Sequence, residues 1–580
     1  MARKQSIIDE VRQKIEDYED NNSSQIAEYN EWSDIFTVKK PLRDQSSRTY
    51  SNPRLTEMFR AVNALATLEV RMMTAQDPYF ELAPMDLGMD NRALSRIEAM
   101  IQTQLRVTQH KRYLLKACIS QILFGTVIVE EDVRMYGLNP FGRKIMATSF
   151  VPRSLLQVSF DRGTFDIDDA MWLSTSDVKH KEWLRGEMRD DPEGDVWFKS
   201  EMEAAMADDG AMPNQNQFVV DRMTRAGYST EMSQKNVRMV DLYRGKLDVA
   251  NDGVEYVVGL INRKHLVRFH PNQFQHGKRN FRVARWVEYE LEPLAYGVGK
   301  LLASLHKSMD ANRQKVQDSI TFDTYNMWLL DRMANIDAQD FKVQPVNIIE
   351  TDDINGLKRV ESNVAGATLG MKLDEALRNE FQAASGATPT LQALVTDATA
   401  SEVSLAQNEA LRNISVKAEV AAEPLVREHI EIMHSNNAQF MTEAAIVSKG
   451  TGSQPMKVYP ADMWYDTDFK TKIVTDKDYK PQRLKSMIEV FQILTSIRND
   501  NPEKYEVSII PFVKEIARSL GINAEELIKE RDPAEQMLKQ LLGMAPAGPG
   551  QGIPPGSAGG GSQATPATMS TPVGEVMVSP

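Results

Sequence analysis

The sequence predicts an α+β protein in which helices and strands share the first half and long helices dominate the second. Amphipathic helical periodicity runs through residues 1–75 and again through 92–123. Between residues 125 and 295, short apolar runs alternate with clusters of turn-forming residues, as is typical of strands. From residue 296 onward, the longest segments are helical again. This order of helices, strands and long helices is the basis of the predicted fold class.

The predicted body is residues 1–295. Its early helices are followed by "QDPYFELAP" (76–84), which Pro78 and the apolar alternation indicate is a short strand. Residues 92–123 are predicted as one long helix that ends where Gly125 precedes a strand. The polar insert at 180–235 is predicted as helices joined by exposed loops.

Five segments follow the body. A glycine-containing turn leads into a long helix at 296–330, and residues 331–365 break into short strands and loops. A helix returns at 366–384, and residues 385–398 are flexible by composition. A third long helix is predicted over 399–447. Two long helices thus bracket a small excursion, and a loop leads from them to a third long helix.

The helix predicted for 399–447 begins with a capping box, since Thr399 can accept a backbone N–H and Glu402 can reach back. An apolar stripe of mostly small residues follows at spacings of three and four: Val403, Ala406, Ala410, Ile414, Ala418, Ala421 and Leu425. Such a narrow stripe favours close helix packing. Pro424 predicts a kink.

The C-terminal part divides into two predicted regions. Residues 448–543 contain a short β-like piece and two further helices, at about 480–500 and 506–530. Residues 544–580 hold eight Gly, seven Pro and a single charged side chain. Such a composition buries too little apolar surface to fold alone, so we predict a disordered tail.

Composition excludes several classes of protein. At 42% hydrophobic and 26% charged, the 580 residues are ordinary globular material, and no apolar run approaches the roughly 20 residues of a membrane span. Cys118 is the only cysteine, so no internal disulfide forms, which fits a reducing compartment. The net charge of −13 and the lack of a basic stripe argue against a tight nucleic-acid binder.

No catalytic or cofactor motif was found. "YGVGKLL" (296–302) lacks phosphate-loop spacing; we interpret it as a turn before a helix, with an anion site at the helix N-terminus as the alternative. Three histidines lie near one another in the β-rich region without a cysteine or paired carboxylate: His265, His270 and His276. The acidic runs at 129–133 and 166–170 match no calcium loop, and we interpret them as solvated edges. Cys118 is expected to be a small core residue. We therefore expect no enzyme, no metal and no cofactor.

Five stretches follow one another along the chain in a recognisable order: "DPYFELAP" (77–84), "FGTVIVEED" (124–132), "TSFVPRSLLQVSFD" followed by "DDAMWLSTSDV" (148–178), "EPLAYGVGKLLASLHKSMDANR" (292–313) and "DATASEVSLAQNEALRN" (397–413). Their order, together with the order of the predicted segments, resembles the portal, or head-to-tail connector, protein of tailed bacteriophages, over roughly residues 50–530. The Gly/Pro-rich tail lies outside the pattern.

The resemblance implies a portal fold with named parts. These are a helical and β-rich wing (1–295), stem helices (296–330 and 366–384), a small α/β clip (331–365), a tunnel loop (385–398), a long wing helix (399–447), and a wing return with a helical crown (448–543). It also implies a dodecameric ring at one capsid vertex, without chemistry of its own. Double-stranded DNA passes through the channel during packaging and ejection, without sequence specificity.

The resemblance further implies partners and sites. The partners are the terminase large subunit, the major capsid and scaffold proteins and the tail adaptor proteins. No contact with a membrane is implied. The protein would be located in the virion, after assembly in the host cytoplasm. The tunnel loop would narrow the channel with Thr388, Thr390, Gln392 and Leu394. The clip would dock partners through Asp337, Asp340, Glu350, Asp352 and Asp353. Helix packing at the ring interface would use Thr399, Glu402, Val403, Ala406, Ala410 and Ile414.

Two alternatives stay open from the residues alone. One is a phage assembly or scaffold protein with similar helices but no channel. The other is a metal-dependent nucleic-acid-processing enzyme whose carboxylates come from 129–132 or 166–169, with Asp168 among them.

Overall fold

A computed structural model describes most of the first 471 residues. The described residues are 2–39, 55–74, 78–84, 91–137, 144–164, 166–191, 194, 196–208, 236–290, 292–325, 328–330, 357–359, 364–386, 414–447, 455–465 and 467–471. All of them belong to one compact unit, Met1–Tyr479. The helices predicted at 480–500 and 506–530 and the tail at 544–580 lie outside the described residues.

Helices and strands are mixed throughout this unit, which confirms the α+β prediction at that level. The chain opens with three helices: α1 (Ala2–Asn21), α2 (Ser23–Phe36) and α3 (Glu57–Thr74). Their apolar residues recur every three or four positions, so each helix presents one apolar stripe. Val11 and Ile15 in α1 and Val62 and Leu65 in α3 are almost completely buried in a shared core.

The single helix predicted over 92–123 is wrong. Strand β1 (Phe80–Pro84) is followed by two helices, α4 (Asn91–Val107) and α5 (His110–Phe124). Gln109 separates them in a left-handed backbone conformation with φ of 54°, which a continuous right-handed helix does not contain. The break brings the completely buried His110 into the core.

Strands dominate from Gly125 to residue 285, as predicted. Five form an antiparallel sheet in the order β10-β9-β8-β7-β6: β6 (Val158–Phe160), β7 (Trp172–His180), β8 (Val237–Lys246), β9 (Glu255–Ile261) and β10 (His265–Pro271). Three form a second antiparallel sheet in the order β11-β2-β5: β2 (Thr126–Glu130), β5 (Val151–Arg153) and β11 (Phe281–Arg285). A separate hairpin joins β3 (Val133–Gly137) to β4 (Lys144–Thr148).

Two short helices lie in the polar insert, as predicted: α6 (Lys181–Asp190) and α7 (Lys199–Ala207). They cover the outer face of the five-stranded sheet. A second, smaller apolar core forms there from Leu184, Trp197, Met202, Ala205, Val240, Ile261 and Val267. Residues 209–235 of the insert lie outside the described part of the chain.

The second half contains long helices in the predicted order, but the prediction that the first of them continues to residue 330 is wrong, because Trp328–Leu330 is a strand paired with Leu357–Arg359. Helix α8 (Val298–Tyr325) is followed by strands β12 (Trp328–Leu330) and β13 (Leu357–Arg359) and by helix α9 (Val364–Ser385). The third long helix, α10, is described over residues 414–440 and has a π-helical turn at Glu423–Arg427. A short hairpin, β14 (Ala445–Val447) with β15 (Met456–Val458), follows it.

The prediction that this helix continues to residue 447 is wrong. It ends at Phe440, and Met441 is already extended. Because Ala445–Val447 pairs with β15, the backbone hydrogen bonds of this segment are made in a sheet. The last strand, β16 (Thr467–Thr471), returns to pair with β1, as the register Leu82↔Phe469 records.

Candidate functional site

The paired helices α8 and α9 are antiparallel neighbours. Asn312 Nδ2 donates a hydrogen bond to the Gly370 carbonyl at 2.8 Å, and Arg313 Nη1 lies 3.1 Å from Asp374 Oδ2. Closer to the body, the His306 and Phe381 rings meet edge to face with centroids 6.1 Å apart. Residue numbers therefore rise along one helix as they fall along the other.

Gly370 permits the closest approach of this pair. A Cβ at that position would lie 2.4 Å from Val316 Cγ2, well inside van der Waals contact. A small residue at the crossing lets two helix backbones approach closely, at the cost of some intrinsic helix propensity. The glycine contact, the amide hydrogen bond and the ion pair thus lie close together along the contact between the two helices.

Beyond these helices the chain leaves and returns through adjacent strands. Strands β12 and β13 are antiparallel, with Trp328 opposite Arg359 and Leu330 opposite Leu357. The excursion between them therefore begins and ends at one place. All five residues predicted to dock partners belong to it and lie outside the described residues: Asp337, Asp340, Glu350, Asp352 and Asp353.

The glycines before α8 have a packing role. Gly125, at φ of 93°, ends α5, and a Cβ there would lie 2.0 Å from the Ala295 carbonyl oxygen. At Gly297 a Cβ would lie 2.3 Å from the Gly125 nitrogen, and at Gly299 it would meet the Leu123 carbonyl at 2.7 Å. The entry into α8 crosses the end of α5 in direct backbone contact, which agrees with a turn before a helix.

The described part of the small-residue stripe of α10 is buried in the hydrophobic core of the same chain. Ile414 is 5% exposed, and Ala418, Ala421 and Leu425 are 1% exposed or less. This corrects the expectation that Ile414 meets a neighbouring copy, because the same chain already covers that face. The other residues of the predicted interface and of the tunnel loop lie outside the described part of the chain: Thr388, Thr390, Gln392, Leu394, Thr399, Glu402, Val403, Ala406 and Ala410.

Pro424, for which the sequence predicts a kink, lies in the π-helical turn of α10. Proline lacks an N–H, so it cannot donate to the carbonyl of the preceding turn. In the same π-helical turn, the Leu425 carbonyl faces His110 Nε2 of α5 at 3.3 Å, while His110 Nδ1 lies 2.8 Å from the Tyr79 hydroxyl. A protonated Nε2 that donates to the carbonyl, with Nδ1 accepting from tyrosine, satisfies both contacts.

A second imidazole stacks on the first. The His429 ring of α10 lies parallel to that of His110, with centroids 5.0 Å apart, and its Nδ1 is 2.6 Å from Glu131 Oε1. Both histidines are completely buried. Burial, followed by the neighbouring His429, lowers the pKa of His110 well below its ordinary value. The pair thus joins α10 to the body through stacked, hydrogen-bonded rings.

A buried carboxyl lies near the same helix. Glu69 of α3 has no exposed surface, with the Cys118 thiol of α5 beside it and the Lys417 ammonium nearby. Burial raises the pKa of Glu69 to about 8, although the thiol and the lysine partly oppose this. Lys417 Nζ itself lies 4.0 Å from the centroid of the Trp286 ring. Cys118 is a fully buried core residue, as predicted.

The acidic run at 129–133 is paired with bases. Burial alone raises the pKa of Glu130, but the Arg244 and Arg153 guanidinium groups hold it well below its usual range. Arg153 Nε lies 2.8 Å from Glu130 Oε2. In the second run, Asp168 Oδ2 lies 3.0 Å from Arg285 Nη2. In the part of the chain that the structure describes, no three His, Cys, Asp or Glu residues are grouped to hold a metal ion.

Sequence reasoning missed the two groups that attach α10 to the body. His110 and His429 are 319 positions apart in the chain, so no motif spacing connects them. Glu69 did leave a signal, because it stands at a core position of the α3 stripe, four residues after Leu65 and four before Met73. A carboxyl at an apolar position predicts either a buried partner or a shifted pKa.

Comparison with known proteins gives no assignment. No family model matches the chain, and no curated protein matches it. None of the described helices is both long enough and apolar enough to cross a membrane.

Proposed function

We propose that the chain is a portal protein of a tailed bacteriophage, which forms a dodecameric ring at one capsid vertex. One observation supports this most strongly: α8 and α9 are antiparallel, and the chain between them leaves and returns through the paired strands β12 and β13. A body, a projecting helix pair with a terminal excursion, and a long helix packed back onto the body are the parts such a ring requires.

The parts have separate tasks in this proposal. The excursion between β12 and β13 docks the terminase large subunit and later the tail adaptor proteins, while the body contacts major capsid and scaffold proteins. Residues 388–394 narrow the channel through which double-stranded DNA moves. The net charge of −13 favours a channel along which a phosphate backbone slides without sticking. The protein resides in the virion after assembly in the host cytoplasm.

The attachment of α10 to the body has a mechanical consequence in this proposal. DNA moving past residues 388–394 loads the helix that follows them, and the core contacts of Leu425 and His429 transmit that load to the body. Interior packing is dense and poorly compressible, so the loop is anchored on a rigid support.

Negative-stain electron microscopy of the purified full chain tests the proposal. Class averages viewed down the particle axis should show closed rings with a central hole and about twelve lobes. Solid particles, open filaments or monomers at every concentration and with scaffold protein present would refute it. Deletion of 388–394 should leave ring assembly intact and reduce DNA packaging or retention; unchanged packaging would refute the assignment of those residues.

A further inference from the structure

Helix α9 carries an apolar row that is exposed to solvent on the side that does not pack on α8. Leu369 and Leu373 stand four residues apart on one side of α9 and are 71% and 50% exposed, whereas Gly370 and Phe381 pack on α8. The exposed Gly366 and Ala376 continue the row of Leu369 and Leu373 at spacings of three, four and three. That spacing is the seam of a helix that packs against another helix. A large apolar row of this kind on a charged protein marks a contact surface.

A groove runs beside this row, between α8 and α9. Its volume is about 640 Å³, and Val316, Leu369 and Leu373 supply apolar walls. Lys315 and Lys372 are the only charged residues among those that line it. The described lining is therefore mainly apolar, with Asn312 and Ser319 as its uncharged polar side chains and a positive charge from the two lysines, so a matching surface is apolar with acidic flanks.

Helix α10 presents such a surface to solvent. Val416 and Val420 are 58% and 57% exposed and stand one helical turn apart, with the exposed Glu419 beside them. Further along the same helix, Arg427 pairs with Glu423 and Glu431 of α10 and with Asp468 of β16, and Lys278 also pairs with Glu431. Lys417, which stands between the two valines in the sequence, points its ammonium toward Trp286.

Other pairings of the groove fit less well. Two copies of the groove would bring Lys315 and Lys372 against their own counterparts, and like charges in contact are unfavourable. The other exposed apolar residues in the described part of the helix pair are Leu301, Ile320 and Met371. Leu301 and Ile320 lie roughly 28 Å apart along α8, and Met371 stands on a different side of α9 from Leu369 and Leu373, so these residues form no continuous patch. The valine face of α10, with Glu419 beside it, offers the groove both apolar and acidic groups.

We propose that the groove between α8 and α9 of one copy receives the Val416 and Val420 face of α10 from a second copy of this chain. Lys315 and Lys372 then face Glu419 across the contact. The two surfaces differ, so the contact is head-to-tail, and repetition of such a contact closes a ring or extends a filament. This inference rests on the proposed function and specifies which surfaces join the copies.

Disulfide cross-linking tests the contact directly. The only native cysteine, Cys118, is completely buried, so a variant carrying Leu373→Cys and Val420→Cys offers just two accessible thiols per chain. Oxidation of the assembled full chain should give a ladder of covalent oligomers beyond dimer on a denaturing gel. A mixture of the two single variants should stop at dimer. The matched control Leu373→Cys with Met135→Cys, where Met135 is 62% exposed on β3, should remain monomeric.

Charge reversal provides a second readout that does not depend on thiol geometry. Lys372→Glu should raise the protein concentration at half-assembly about tenfold, since an attraction becomes a repulsion at every contact. Adding Glu419→Lys to the same chain should restore assembly. No ladder and no effect of Lys372→Glu would overturn the proposed contact. If wild-type rings with a central hole still form, the portal proposal survives; a ladder from particles without a hole would refute the portal proposal and keep the contact.

Discussion

Replacement of Glu69 by glutamine should remove a pH dependence from the stability of the fold. The folded-state pKa of about 8 stands above the ordinary value of 4.5. Below pH 4.5 both the folded and the unfolded chain hold the proton, and the carboxyl has no effect. As pH rises above 4.5 the unfolded chain releases its proton first, so the folded state loses about 1.4 kcal/mol per pH unit until pH 8. The total loss is about 5 kcal/mol.

The isosteric Glu69→Gln carries no proton to lose. Relative to the wild type, its free energy of unfolding should rise by about 2 kcal/mol between pH 6 and pH 8. A constant packing difference between the two side chains cancels in this comparison. Urea unfolding followed by tryptophan fluorescence, at half-unit steps of pH, measures it.

A matched control is Glu375→Gln on α9, where the carboxyl is exposed. This variant should follow the wild-type pH profile. Parallel profiles for Glu69→Gln and the wild type would refute the reasoning, because they would mean that Glu69 is already ionised when folded. The Lys417 ammonium would then stabilise the ionised Glu69 carboxylate more strongly than its position in the structure indicates.

Three further substitutions test contacts that support the site. Gly125→Ala should cost about 3 kcal/mol or more, because it strains a positive φ and places a methyl group against the Ala295 carbonyl; a loss below 1 kcal/mol in urea unfolding would contradict the close crossing. His429→Leu should cost about 3 kcal/mol, because the buried Glu131 loses its hydrogen bond with His429 and keeps Arg282 Nη2 at 3.9 Å, and adding Glu131→Leu should recover part of it; additive losses would argue against the pairing. Phe381→Ala should cost about 3–5 kcal/mol and speed amide exchange in α9, whereas unchanged exchange would show that the ring does not hold the helix pair.

Elements with strong local signals were predictable from the sequence. The long helix α8 follows its glycine turn, α9 returns where expected, and α10 is irregular at Pro424. The alternation of apolar runs and turns also placed the strands between 125 and 285 in the right region. Each of these depends on periodicity, a missing N–H or a turn residue, all of which act within a few positions of the chain.

Contacts between distant segments were decided only by the tertiary structure. No local sequence signal predicts that the helix expected at 92–123 breaks at Gln109. The break is stabilised by the burial of His110 against Tyr79 and His429, which are distant in the sequence. The small-residue stripe of α10 is a second example. Small residues at this spacing pack equally well in the core of the same chain and against a neighbouring copy, so the sequence alone does not distinguish the two.

The sequence by itself determined the α+β class, the order of the long helices and the positions of their start and break signals, because backbone propensity and apolar periodicity are properties of neighbouring residues. The tertiary structure decided which face of α10 is buried, which acids meet bases, and that burial raises the pKa of Glu69. Those outcomes depend on burial and on charges brought together from far along the chain, and no local pattern records them.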